Sequence, residues 1–174
     1  MKKIVIVLVA LLASLGPACA QKIAYINTET ILNGIPAYQA AQTQLETLSD
    51  KYRASIETEL GKVESLYQEY QATRNSMSAA QRQNKENEII QKERVVQEKQ
   101  KIYFGEDGIM AKKAEELIDP IRKDVDKAIA DVARANGYDL ILDLASMPGV
   151  VYRNEALDVT AQVLARFTEN QKHQ

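Results

Sequence analysis

The 174-residue chain contains no tryptophan, one histidine, one cysteine, seven glycines and four prolines. The histidine is His173, next to the last residue, and the cysteine is Cys19, near the start. Everything between them therefore lacks the commonest general base and the commonest zinc ligands. One cysteine cannot form a disulfide within the chain. No Walker-type phosphate loop is present: Gly61-Lys62 stands alone inside a helical pattern, and Gly105 to Gly108 lies amid charge with no strand before it. The many carboxylates fall at solvent-facing helical positions, where a hydrated surface explains them better than acid/base work. The expectation is a protein that is not an enzyme, with no catalytic residues, no metal and no cofactor. Scarce glycine and proline, together with abundant alanine, glutamine, glutamate and lysine, point to long helices.

What is present begins with an address. Lys2 and Lys3 precede an apolar run from Ile4 to Leu15, broken only by Ser14, and then come Gly16, Pro17 and the small trio Ala18-Cys19-Ala20. A basic start, an apolar stretch too short to span a bilayer and small residues before a cleavage point make residues 1–20 a signal peptide, with Gln21 opening the mature chain. Lipid attachment at Cys19 is disfavoured, because Gly16 stands where a lipoprotein signal has a branched apolar residue. The expected compartment is the periplasm. Without Lys2 and Lys3, the remaining 20 basic and 24 acidic residues carry a formal charge of −4, which argues against nucleic acid as a partner.

Residues 22–27 (KIAYIN) alternate like a short strand, with Ile23 and Tyr25 on one side and Ala24 and Ile26 on the other. Thr28 is placed to cap a short turn that Gly34 ends, and Pro36 suits the first position of a new helix. From there Tyr38, Ala41, Leu45, Leu48, Tyr52, Ile56, Leu60, Val63, Tyr67 and Tyr70 recur at steps of three and four, a coiled-coil stripe with one stutter. About 38 residues at 1.5 Å each predict a helix of roughly 57 Å. Helix-poor Asn75 and Ser76, followed by Ser78-Ala79-Ala80-Gln81 as a capping box, put a tip at 73–78 and open a return helix. Its apolar positions are looser, and Gly105 with Gly108 predicts a kink or π-bulge midway. Asp119-Pro120 reads as a junction to a new or kinked helix carrying Ile121, Val125, Ile129 and Val132, which Asn136-Gly137 stops. Residues 138–144 (YDLILDL) form the clearest strand, and a turn at Met147-Pro148-Gly149 leads to Val150-Val151-Tyr152. Asp158 is set to cap a last helix with Val159, Val163, Leu164 and Phe167 inward.

The resulting fold class is α+β, mainly α: a small β-containing oligomeric body of residues 21–36 and 119–174, carrying a long antiparallel coiled-coil hairpin arm at 37–118. A body of 72 residues is marginal by itself, so self-association is expected to complete it.

This order of features resembles the Skp/OmpH family of periplasmic chaperones. The resemblance rests on the strand ending in Ile26-Asn27, then Glu29-Thr30-Ile31-Leu32 and Pro36, Leu117-Ile118-Asp119-Pro120, Ala135-Asn136-Gly137-Tyr138 before Leu140-Ile141-Leu142-Asp143, and Leu157-Asp158-Val159-Thr160. It implies a homotrimer with three arms around a cavity and ATP-independent holding of unfolded outer-membrane β-barrel proteins. One departure stands out: residues 39–117 carry 12 basic and 14 acidic side chains, whereas the family's better-known members have basic arms. That balance argues against contact with anionic lipid or lipopolysaccharide.

The residues expected to meet a client are Leu66, Tyr67, Tyr70 and Met77, with packing inside the coiled coil as their alternative role. The residues expected at the subunit interface are Ile23, Tyr25, Ile26, Tyr138, Leu140 and Leu142. A structural coiled-coil spacer or adaptor of the cell envelope, binding one folded partner at its tip, is the competing reading.

Overall fold

The computed structural model describes residues 21–173, so the signal peptide expected at residues 1–20, with Cys19, lies outside the described residues. In order, the elements are β1 (Ile23–Ile26), α1 (Thr28–Asn33), α2 (Pro36–Thr73), α3 (Ala79–Phe104), α4 (Ile109–Asn136), β2 (Leu140–Asp143) and α5 (Thr160–Lys172), with single 3-10 turns at Arg74–Ser76, Leu144–Ser146 and Glu155–Leu157. The fold is mainly helical with one small sheet, as the sequence pattern indicates. The chain divides into two compact units, one of Leu32–Asp126 and one joining Lys127–Gln174 to the N-terminal residues through Ile31.

In the second of these units β1 and β2 run parallel, with Ile23 beside Leu140 and Ile26 beside Asp143. Parallel strands need a crossover between them, and here the intervening chain holds α1 to α4. The other side of β1 is taken by Asp158, which bridges Tyr25, and by the Val159 N–H, which donates to the Tyr25 carbonyl. Ala24, Tyr25 and Ile26 are consecutively buried, so β1 is covered on both faces. Its core partners on the same unit are Ile31, Ala128, Val132, Val159, Val163 and Phe167. Asp131 of α4 ties down α5 by accepting from Asn170 and pairing with Arg166.

Two caps differ in detail from expectation. Thr28 is the first helical residue of α1, and it is the Asn27 side chain that accepts from the Thr30 N–H. Thr28 instead gives both its N–H and its hydroxyl to Asp143. At the other end of the chain Val159 is the residue that flanks α5, and the Asp158 carboxylate, one position earlier, accepts from the Thr160 N–H.

The Leu32–Asp126 unit contains the hairpin. Helix α2 has 38 residues and opens on Pro36. It ends at the 3-10 turn, and Ser78 then caps α3, accepting from the Gln81 N–H while its own N–H donates to the Gln81 side chain. Three contacts set the antiparallel register: Tyr52 stacks on Tyr103 at 4.1 Å, Glu59 meets Lys99 at 3.0 Å, and the Tyr70 hydroxyl donates to Glu86. As the α2 partner advances, the α3 partner retreats by a similar amount, which is what a two-helix seam requires.

The structure departs from the sequence pattern at two places along the return path. The kink expected at Gly105 and Gly108 is a complete break separating α3 from α4. Neither glycine has a positive φ; space is the reason for them. A Cβ on Gly105 would lie 2.5 Å from the Lys101 carbonyl oxygen, and one on Gly108 would lie 2.9 Å from both the nitrogen and the oxygen of Gly105. Conversely, no new helix begins at Asp119-Pro120, because α4 runs unbroken through Pro120. Its apolar row continues across the proline as Ile118, Ile121, Val125, Ala128 and Val132, the last three buried. Packing along that row outweighs the roughly 3 kcal/mol that an interior proline costs. The stop at Gly137 is as expected, with φ +67 in the left-handed region.

Candidate interaction surfaces

Among the described residues no cluster of histidine, cysteine, aspartate or glutamate is arranged to hold a metal ion. The features that remain are apolar surfaces, and they follow from how the hairpin seam chooses its residues. Through its middle the seam takes Ile56, Glu59, Val63, Leu66 and Tyr70, leaving Leu60 and Tyr67 about half exposed. Three- and four-residue steps fit both sets; the Glu59–Lys99 pair occupies the inner position and so turns Leu60 outward. Hydrogen bonds from Lys99 and then Lys62 hold the Glu59 carboxyl below the usual carboxylate range.

The four residues singled out for client contact therefore do not share one surface. Leu66 is half-buried on the inner side of α2 and Tyr67 is 48 % exposed. Tyr70 is buried, and its bond to Glu86 raises the phenol pKa. Met77 is half-buried in the turn, beside a 290 Å³ cavity that it lines with Gln81, Asn84, Lys85 and Glu88.

Helix α3 carries a surface of its own. Its apolar residues come in doublets, Ile89-Ile90, Val95-Val96 and Ile102-Tyr103. In each doublet one member enters the seam: Ile89 and Val96 are buried, and Tyr103 stacks on Tyr52. The other member is left in water, with Ile90 60 %, Val95 41 % and Ile102 54 % exposed. Successive residues on a helix point about 100° apart, so an adjacent apolar pair cannot be buried in one narrow seam. The doublets were the available signal. Nearby, Ile56, Leu60 and Phe104 line a 520 Å³ groove with Arg53, Glu57 and Gln100. A 730 Å³ hollow follows the helix break, between Ile102 and Ile109, with Lys101, Glu106, Asp107 and Lys112 around it.

The six residues expected at a subunit interface divide as well. Tyr25 and Ile26 are buried in the chain's own core, Tyr138 and Leu142 are half-buried, and Ile23 and Leu140 are exposed. The sheet has only two strands among the described residues, so the outer edge of β2 has no neighbour. Beyond β2, the loop from Met147 presents Val150, the fully exposed Val151 and Tyr152 at 83 % exposure. A 230 Å³ hollow lined by Leu144, Met147 and residues 150–153 accompanies them. Such a concentration of bare apolar side chains beside an open strand edge is unusual for a surface that faces only water.

A family model described as outer membrane protein (OmpH-like) matches residues 22–167. A chaperone protein Skp from Photorhabdus luminescens is 32 % identical over 160 residues, covering 90 % of this chain and 91 % of its own. One from Pectobacterium atrosepticum is 25 % identical over 154 residues, covering 88 % and 90 %. Among solved structures, an OmpH-like protein of Caulobacter crescentus CB15, described as an outer membrane chaperone, superposes with a TM-score of 0.65 over 89 % of this chain and 88 % of its own; at 16 % identity that likeness shows the fold.

Proposed function

The chain belongs to the OmpH-like family, and from that membership we propose that it is a periplasmic chaperone that holds unfolded outer-membrane β-barrel proteins and keeps them from aggregating, without ATP. Its relatives over nine-tenths of its length are chaperone proteins Skp. The signal-peptide layout of residues 1–20 supports the compartment.

The observation that carries the mechanism is the split of the α3 doublets. A client strand of the barrel type alternates apolar and polar side chains over short stretches, so it offers many small apolar contacts and no long helix to grip. Ile90, Val95 and Ile102, together with Leu60, Tyr67 and Phe104, offer small separate apolar sites to match. Each is weak, and their linkage on one rigid hairpin makes the sum adequate. Binding through scattered apolar contacts also removes any need for a basic arm. Met77 and Leu66 contribute at the margins of this surface; Tyr70 serves the seam.

Self-association into a homotrimer completes the molecule. Support comes from the unpaired edge of β2 and the bare Ile23, Leu140, Val150, Val151 and Tyr152, which a neighbouring copy would cover. The test of the chaperone reading is dilution of a urea-unfolded outer-membrane barrel into buffer with and without the protein, followed by turbidity. Suppression at one trimer per client is expected; equal turbidity in both samples removes the reading.

A further inference from the structure

Asparagine that precedes glycine is the most reactive amide in a protein chain, because glycine has no Cβ to keep its backbone nitrogen away from the asparagine side chain. Two such steps occur here, Asn33-Gly34 and Asn136-Gly137. They are closely matched. Each asparagine is the last residue of its helix, α1 or α4, and each is exposed. The backbone carbonyl of each also accepts a hydrogen bond from a side chain elsewhere, Asn33 from Gln39 Nε2 at 2.6 Å and Asn136 from Lys22 Nζ at 2.7 Å. A donor on that oxygen favours attack by the glycine nitrogen, since loss of the glycine N–H proton places charge on the same oxygen.

The side chains are where the two sites differ. Nδ2 of Asn136 donates to the Val132 carbonyl at 2.8 Å, which turns the amide back along α4. The turn after it is closed as well: the Gly137 N–H donates to the Arg134 carbonyl, the Tyr138 N–H donates to the Ala133 carbonyl, and Gly137 takes φ +67. The Asn33 side chain, by contrast, has no hydrogen bond among the described residues. Helix α1 has six residues against the 28 of α4, and so short a helix has little hold on its last residue.

We propose that Asn33 is a site of spontaneous deamidation in the folded protein, while the tether to Val132 protects Asn136. The Gly34 nitrogen attacks Cγ of Asn33. A bond forms between them, the Cγ–Nδ2 bond breaks, and Nδ2 leaves as ammonia with the proton of the Gly34 N–H. Water then opens the resulting succinimide at either carbonyl, leaving aspartate or isoaspartate. Both products place a negative charge at the C-terminal end of α1, where the helix dipole disfavours it. Isoaspartate also inserts an extra carbon into the backbone between Ile31 and Ile35, both almost fully buried, so that one of the two is drawn out of its place.

The experiment incubates the full chain in mildly alkaline buffer, with and without urea. Tryptic peptides 23–51 and 135–153, which carry one Asn-Gly step each, are followed by mass, and fragmentation assigns the converted residue and separates aspartate from isoaspartate. The expected result is conversion at Asn33 severalfold faster than at Asn136 without urea, and equal rates in urea. Gly34→Ala, which its backbone accepts because φ there is not positive, should slow conversion of Asn33 severalfold. Protein rich in isoaspartate, separated by its added charge, should melt below the parent. Equal rates at the two sites without urea, or a faster rate at Asn136, overturn the protection assigned to the tether. A difference that persists in urea overturns it too, because neighbouring sequence then sets the rates. An Asn33 rate unchanged by Gly34→Ala overturns the succinimide route, and equal melting overturns the effect on Ile31 and Ile35.

Discussion

Thr28 and Asp143, 115 positions apart, are joined by two hydrogen bonds: the Thr28 N–H reaches one carboxylate oxygen at 3.1 Å and its hydroxyl reaches the other at 2.6 Å. The same carboxylate accepts from the Ala145 N–H at 3.0 Å. One side chain thus closes the start of α1, the end of β2 and the turn after it. Partial burial pushes the Asp143 carboxyl upward, and the hydrogen bonds from Thr28, Ala145 and Ser146 more than reverse that, leaving it below its ordinary value.

The folded pKa of Asp143 is depressed, so its contribution is present above the ordinary aspartate value near 3.9 and is lost as pH falls through the folded value. Asp143→Ala should lower stability to urea at pH 7 by about 2 kcal/mol, the scale of hydrogen bonds to a charged group left unmade. The difference between the variant and the parent should shrink below pH 4. Equal midpoints at pH 7 would show that these bonds contribute nothing.

Gly108→Ala should destabilise the hairpin unit. The added Cβ meets three backbone atoms at 2.9 to 3.0 Å, and backbone cannot step aside as a side-chain tip can. A loss of about 1–3 kcal/mol is expected from such overpacking, read as a lower thermal midpoint. Gly61→Ala is the control: nothing lies within 4 Å of its Cβ, and a gain of up to about 1 kcal/mol is expected there. Indistinguishable effects at the two positions would contradict the account of the break.

Ser78→Ala removes one half of the capping box that opens α3. The expected cost is about 1 kcal/mol, confined to the first turn of α3. Amide exchange at residues 79–83 should quicken while that at residues 93–100 stays unchanged. Uniform quickening along α3 would mean the cap holds more than its own turn.

The doublets allow a paired test. Replacing Ile90, Val95 and Ile102 together by serine should leave helicity intact and weaken protection of an unfolded barrel protein, since all three are exposed. Replacing Ile89 and Val96 by serine should instead loosen the hairpin, at about 2 kcal/mol or more for each buried side chain. Circular dichroism and turbidity read on both variants separate the two effects. Full protection by the triple variant would remove these residues from the client surface.

Much of the fold was legible because local rules and packing agreed. Pro36 opens α2, the Ser78–Gln81 box opens α3, and Gly137 closes α4 through its positive φ, each a feature of two or three residues. The misread places are those where packing overrode a local signal. Pro120 looks like a boundary by itself, yet the apolar row on both sides of it carries the helix through. Leu60 and Glu59 are both compatible with the seam spacing, and only the position of Lys99 on the partner helix decides between them. The interaction surfaces were less legible. Exposure of one member of a doublet depends on which face meets the partner, and the bareness of Val151 and Tyr152 depends on what the rest of the chain fails to cover.

The claim at the centre is that exposed apolar residues on the hairpin take hold of unfolded barrel proteins. The chain has no tryptophan, so the fluorescence of a tryptophan-containing barrel can be followed against a dark background. A fixed amount of the unfolded barrel, diluted from urea, is titrated with the protein while the emission maximum is recorded. The account predicts a saturable blue shift, as tryptophans leave water for an apolar surface, and loss of that shift with the Ile90, Val95 and Ile102 serine variant. A barrel whose emission is the same at every protein concentration would contradict it.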